Sequence, residues 1–199
     1  MKKLFIALLC LLLAGLCACG QEVEEELAPY NAVLRRYKRG VSFGDYGQVY
    51  QYYALYDIDG NGSKELFLGL DLWDGSEISF ATIYAIKNKN AVRLEPYELW
   101  NGSGLLPSLF SNGTILSKHS YDDSGKWLRY YRFEDGALRL QVSLIEDIMF
   151  DEYFLHDLNA KENIPITKEE FEQLQKEMEG DGQIVEIDWR PLAGYGAGG

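Results

Sequence analysis

Apolar residues in this chain fall into four successive spacings, and each predicts a different element. The first is an unbroken apolar run from Leu4 to Leu16, preceded by Lys2 and Lys3 and followed by small residues. It is too short to span a bilayer, which needs roughly 20 apolar residues, and its layout is that of a secretory signal peptide covering residues 1–18. The second is helical: Tyr30, Val33, Leu34 and Tyr37 fall at i, i+3, i+4 and i+7, predicting a helix from Pro29 that Gly40 closes. Arg35, Arg36, Lys38 and Arg39 occupy its other faces or its last turn, where cations suit the helix dipole.

From Tyr52 to about Leu144 the spacing shortens to apolar runs separated by turn residues, as in antiparallel strands and hairpins. Strands are expected near 52–57, 65–71, 78–87, 91–97, 114–121, 126–133 and 137–145. In the last of these Leu138, Leu140, Val142 and Leu144 alternate with Arg139, Gln141 and Ser143, so one face is buried and one wet. Asn88 to Asn90, Asn112-Gly113 and Asp135-Gly136 are hairpin signals. The fourth spacing is helical again. Thr167 reads as the N-cap, Glu170 as its capping-box partner and Ile166 with Phe171 as a hydrophobic staple, with Leu174 and Met178 continuing the apolar stripe to Gly180.

A final strand is expected over "QIVEIDW", and the glycine-rich 193–199 reads as a loose tail. The fold class is therefore α+β, mainly β. It is an antiparallel meander, curled or folded in a sandwich-like or propeller-like way, between an N-terminal helix and a C-terminal helix–strand unit. One globular domain spans 29–192, and nothing argues for βαβ units.

Leu16-Cys17-Ala18-Cys19 resembles the lipobox of bacterial lipoproteins. The resemblance implies cleavage before Cys19, diacylation of its sulfur, and an extracytoplasmic protein anchored to a bacterial membrane by lipid through the acidic tether of residues 19–28. Cutting before Cys17 gives a poorer match, and an ordinary secreted protein is the alternative. Of the three cysteines, Cys10 and Cys17 then leave with the signal and Cys19 carries lipid, so no disulfide is possible. A secreted domain without disulfides relies on its core or on a metal. Loss of Lys2 and Lys3 takes the net charge from −12 to −14, which excludes nucleic acid as a partner and leaves cations and neutral or basic ligands open.

The stretch "DIDGNGSKE" carries the metal expectation. Asp57, Asp59 and Asn61 stand at loop positions 1, 3 and 5, Ser63 at position 7 offers its backbone carbonyl, and Glu65 stands at position 9. Calcium takes six to eight oxygens at about 2.3–2.6 Å, and Gly60 and Gly62 permit the positive φ angles of a tightly wound loop. Position 12 is Leu68, so the loop is not an EF-hand. It resembles the strand–loop–strand calcium site of integrin-type FG-GAP repeats over Tyr56 to Leu70. With the lipobox, the helix and the strand-rich body, the chain is similar to uncharacterised lipoproteins of Gram-positive gut bacteria. That similarity implies a location and a structural Ca²⁺, and no activity. Two departures stand: there is one such loop, and Lys64 lies where it can partly neutralise Glu65. The competing reading is a plain hairpin turn, but three carboxylates brought together without a cation repel.

Catalytic patterns are poor. Gly40-Val41-Ser42-Phe43-Gly44 has the letters of a nucleophile elbow but lacks the strand before and helix after it. His119 and His156 have no zinc spacing, and His156 next to Asp157 is adjacency only. Aromatics make up 14% of the chain; most belong in the core, while Trp73 and Trp100, in Gly- and Asp-rich loops, are candidate contacts to a glycan or protein ligand. Two functions follow: a non-enzymatic, calcium-stabilised binding or accessory module, or a hydrolase of cell-wall or dietary polysaccharide or peptide.

Overall fold

The computed structural model describes residues 25–40, 42–43, 48–71, 78–94, 107–121, 124–157 and 159–196. A 3₁₀ turn at Ala28–Tyr30 leads into helix α1, Asn31–Lys38. The strands follow in chain order: β1 (Ser42–Phe43), β2 (Gln48–Val49), β3 (Tyr52–Tyr56), β4 (Glu65–Asp71), β5 (Ile78–Lys87), β6 (Asn90–Arg93), β7 (Ser108–Leu109), β8 (Thr114–Tyr121), β9 (Gly125–Glu134), β10 (Ala137–Asp147), β11 (Glu152–Asp157) and β12 (Glu162–Ile166). Helix α2, Lys168–Glu179, and the short β13, Arg190–Pro191, complete the set.

Two open antiparallel sheets result. One has the order β13-β3-β4-β5-β6 and the other β12-β11-β10-β9-β8-β7, with β1 and β2 forming a separate two-residue ribbon. The six-stranded sheet is a pure meander, because its strands pair in chain order. Asn88 and Lys89 at φ 51° and 65°, and Asp135 and Gly136 at 52° and 71°, have both central residues at positive φ, as two-residue hairpin loops that match strand twist require.

Alternation along the strands sorts the side chains into three cores and hence four layers. Leu66, Leu68 and Leu70 of β4 join Tyr30, Leu34 and Tyr37 of α1 in the first core. Phe67 of β4, with Phe80 and Ile83 of β5, meets Ile115, Tyr131, Phe133 and Leu138 of the other sheet in the second. Leu128, Tyr130 and Leu144 pack under Phe171 and Met178 of α2 in the third. The order is helix, sheet, sheet, helix: a sandwich with a helix on each outer face, and no propeller blade. The doublet Tyr130-Tyr131 sends one ring into the third core and the other into the second, as the two-residue period demands. The N-cap of α2 is a complete capping box, with Thr167 Oγ1 accepting from Glu170 N–H and the Glu170 carboxylate accepting from Thr167 N–H.

One expectation needs correction, and two further features went unread. "QIVEIDW" is no strand within a sheet. The extended segment 183–189 bonds the six-stranded sheet only at its start, where Ser111 N–H donates to Gln183 O and Val185 N–H to Leu109 O. It reaches the other sheet only at β13. Val185, Ile187 and Trp189 pack into the central core, while among the described residues the backbone between these points has no strand to ladder with. Second, β11 and β12 were not evident from the residues, because β12 is an exposed edge strand carrying Pro165 and has no buried face to produce alternation. Third, packing of the described residues continues to Tyr195. Leu192 is buried, and the Tyr195 ring packs edge-on against Tyr53 at 6.0 Å.

Candidate functional site

The connection between β3 and β4 runs from Asp57 to Lys64, with Tyr56 and Glu65 paired across its base. Gly60 and Gly62 adopt φ 71° and 87°, and the loop winds about its own side chains. The Asp57 carboxylate accepts from Asn61 N–H (3.1 Å) and Gly62 N–H (2.8 Å). Asp59 accepts from Asn61 N–H (3.2 Å) and from the Asn61 amide (2.9 Å). Asn61 Oδ1 accepts from Ser63 N–H (2.7 Å). Each carboxylate oxygen has two lone pairs, so these bonds orient the acceptors without exhausting them. Asp57, Asp59 and Asn61 are therefore held by one network, and Ser63 is tied into it through its backbone.

Glu65 differs from the rest. As the first residue of β4 it shares the inward face with Phe67 and is only 3% exposed. Its Oε2 accepts from Ile58 N–H at 3.1 Å. Burial pushes its carboxyl up from the ordinary 4.5 to about 7; the Ile58 bond opposes the rise, and the charges of Asp59 and Asp57 add to it. Lys64 does not relieve this. Its ammonium lies 2.9 Å from the Glu26 carboxylate, while its carbonyl accepts from the Tyr30 hydroxyl at 2.9 Å, so the expected partial neutralisation of Glu65 goes to Glu26 instead.

What seats the loop is not visible in the residue pattern. Ile58, the one large apolar residue inside it, is 5% exposed and belongs to the central core. The Asn112-Gly113 turn of the opposite sheet lies against it. A Cβ at Gly113 would stand 2.7 Å from Ile58 O, and Gly113 has φ 79°. Beside the loop opens a cleft of about 720 Å³, whose walls include Tyr30, Asp59, Asn61 and Glu65 together with Asn88 and Asp135 from hairpin turns of both sheets.

The donors are thus ordered along the loop but not gathered on one centre. Among the described residues no three Asp, Glu, His or Cys side chains converge closely enough to hold an ion as they stand. An all-oxygen set with three carboxylates suits hard cations such as calcium, magnesium and manganese.

The remaining candidates separate. Cys19, Trp73 and Trp100 lie outside the described residues. Among the described residues no helix is long and apolar enough to cross a membrane. Gly40 closes α1, and Ser42 follows a helix in place of a strand, so the nucleophile-elbow geometry is not formed. His156 Nδ1 lies 2.8 Å from Asn163 Oδ1, whereas Asp157 accepts from Asn159 and Ala160 N–H. The two neighbours have separate partners, and no His–carboxylate dyad forms there. No protein-family model, curated protein or solved structure matches the chain.

Proposed function

We propose that the protein is a membrane-anchored extracytoplasmic lipoprotein, lipidated at Cys19, whose sandwich is stabilised by calcium at Asp57, Asp59, Asn61, Ser63 and Glu65 and serves as a non-enzymatic binding or accessory module. The observation that carries the calcium reading is Glu65: a carboxyl 3% exposed, flanked by two further carboxylates, with its lysine neighbour committed to Glu26. A charge so placed costs stability unless it is protonated or paired. A divalent cation shared by the three carboxylates offsets that cost, and the side chains need only turn inward from a loop whose backbone is already set. Calcium would then fix the base of β3 and β4 against the opposite sheet, through the contact of Ile58 with Gly113. The cleft bordered by the loop and two hairpin turns is the natural place for a ligand of such a module.

The same carboxyl is what a hydrolase would use as a general acid. With a single N–H bond and 3% exposure, Glu65 has little surface to offer a substrate oxygen, which favours the structural ion.

The test is thermal unfolding of the chain from Gln21 onward. All three core clusters lie between Leu27 and Tyr195, so this piece retains the whole folded body. Calcium at millimolar concentration should raise the midpoint over EDTA, and Asp57→Ala with Asp59→Ala should abolish the rise. A wild type insensitive to several millimolar calcium would reduce the loop to a turn and remove the ion from the proposal.

A further inference from the structure

The turn between β10 and β11 exposes three consecutive large apolar side chains: Ile148 at 55%, Met149 at 69% and Phe150 at 68%. The turn is a built feature. Asp147 Oδ1 accepts from Met149 N–H (3.0 Å) and Phe150 N–H (3.2 Å), and Ile148 N–H donates to Ser124 O. Four carboxylates flank the knob in sequence, at Glu146, Asp147, Asp151 and Glu152, with Lys126 paired to Glu146. Such a rim is repelled by an anionic bilayer and attracts a basic rim around an apolar seat.

The chain carries that counterpart itself. On the outer face of α1, Ala32, Arg35, Arg36 and Arg39 line a shallow, open hollow. The helix has no acidic residue, and among the described residues no carboxylate pairs with these arginines. Three guanidinium groups with their aliphatic stems beside Ala32 suit both a phenyl ring, through cation–π contact, and carboxylates, through paired hydrogen bonds.

The two surfaces do not meet within one chain. Helix α1 begins at the cleft, where the β9–β10 turn also ends, whereas the knob lies at the far end of β10, roughly 35 Å along an 11-residue strand. We infer that the Ile148–Phe150 knob of one copy docks in the Arg35–Arg39 hollow of the next, a head-to-tail contact that propagates copy to copy. It depends on neither calcium nor the lipid anchor.

Sedimentation equilibrium of the chain from Gln21 onward tests this. At low salt the average mass should climb with concentration past that of a dimer, and about 0.5 M salt, where the Debye length is only a few Å, should reverse it. Met149→Ser with Phe150→Ser should weaken association at least ~10-fold, and so should Arg35→Glu with Arg39→Glu. Each variant keeps the half that the other lacks, so mixing the two should restore association and stop it at the dimer. A wild type monomeric to ~1 mM, association strengthened by salt, association untouched by either variant, or a mixture that stays monomeric would each overturn the proposal. So would binding of the knob to neutral phospholipid vesicles in place of self-association. Circular dichroism checks folding, and Phe150→Ser alone serves if a double variant unfolds.

Discussion

The loop Asp57–Glu65 and the two aspartate turns of the other sheet begin from the same device and end in different states. In the turns one exposed or half-exposed aspartate accepts two backbone N–H groups: Asp147 from Met149 and Phe150, Asp157 from Asn159 and Ala160. The Ala160 and Asn159 N–H groups hold the Asp157 carboxyl below its ordinary 3.8. The turn is complete with one charge. In the loop Asp57 and Asp59 do the same work, yet a third carboxyl is placed behind them and buried, and burial pushes Glu65 up to about 7. A hairpin needs no such group. The difference separates a turn that uses carboxylates to hold its backbone from a loop that has carboxylates left over.

The strongest way to break this contrast is to titrate it. In EDTA, Glu65 favours the native state only while protonated. Its contribution is therefore full below about 4.5 and lost as pH rises through about 7, a fall of about 3 kcal/mol between those limits. Glu65→Gln keeps an oxygen for Ile58 N–H and cannot ionise, so denaturant unfolding of this variant should lack that fall. Parallel pH profiles for the two proteins would mean that Glu65 is solvated and that the loop is no different from the turns.

Calcium should reverse the same dependence. With an affinity of about 10⁻⁴ M, typical of weak extracellular sites, a few millimolar stabilises the native state by about 2 kcal/mol. The gain belongs at pH 8, where Glu65 is ionised, and should shrink towards pH 5, where the ion must displace its proton. A calcium effect equal at both pH values would remove Glu65 from the ligand set while leaving Asp57 and Asp59 in it.

Much of this was legible in the residues, for reasons that also mark where legibility stopped. The long strands β5, β8, β9 and β10 were legible from apolar runs bounded by turn residues and not from a single buried face. β5, β8 and β9 carry buried residues on both faces. In β10 a bulge between Leu140 and Val142 sends Leu138 and Leu140 to the central core but Val142 and Leu144 to the core under α2, so the one buried face expected there is not formed. Thr167 with Glu170 announces α2 because capping is local. The loop's donors could be read for the same reason: Asp57, Asp59 and Asn61 act on N–H groups two to five residues away. What could not be read depends on distant partners. Glu26 claims Lys64 across 38 residues, Gly113 meets Ile58 from the other sheet, and segment 183–189 alternates like a strand while spanning the gap between two sheets. Burial of Glu65 belongs with these: β4 is covered on both faces, and only the opposite sheet encloses the face that Glu65 shares with Phe67.

The turns supply the next prediction. Asp147→Ala leaves Met149 and Phe150 N–H to water at an exposed site and should cost about 1 kcal/mol, equally in EDTA and in calcium. Asp157→Ala should likewise be blind to calcium. Because the Asp157 carboxyl is depressed, its contribution is present at neutral pH and lost as pH falls through the acid range, opposite in sign to Glu65. Two carboxylates in one protein would then give stability profiles of opposite slope, and a double-variant comparison across pH would resolve them.

The smallest effect discriminates most finely. If Lys64 neutralised Glu65, Lys64→Ala would raise the Glu65 pKa further and steepen the loss of stability towards pH 8. The geometry places the ammonium on Glu26, with both side chains more than 40% exposed, where an ion pair is worth a few tenths of a kcal/mol. The Tyr30 hydroxyl bonds the Lys64 carbonyl, which alanine retains, so the loop should keep its seat. Lys64→Ala should therefore lower stability by no more than about 0.5 kcal/mol, leave the pH profile in EDTA parallel to wild type, and leave the calcium response intact. A steeper profile would show the lysine shared between Glu26 and Glu65. It would also give the loop a cation of its own, and with that the surplus of charge that sets it apart from the two turns would be one unit smaller.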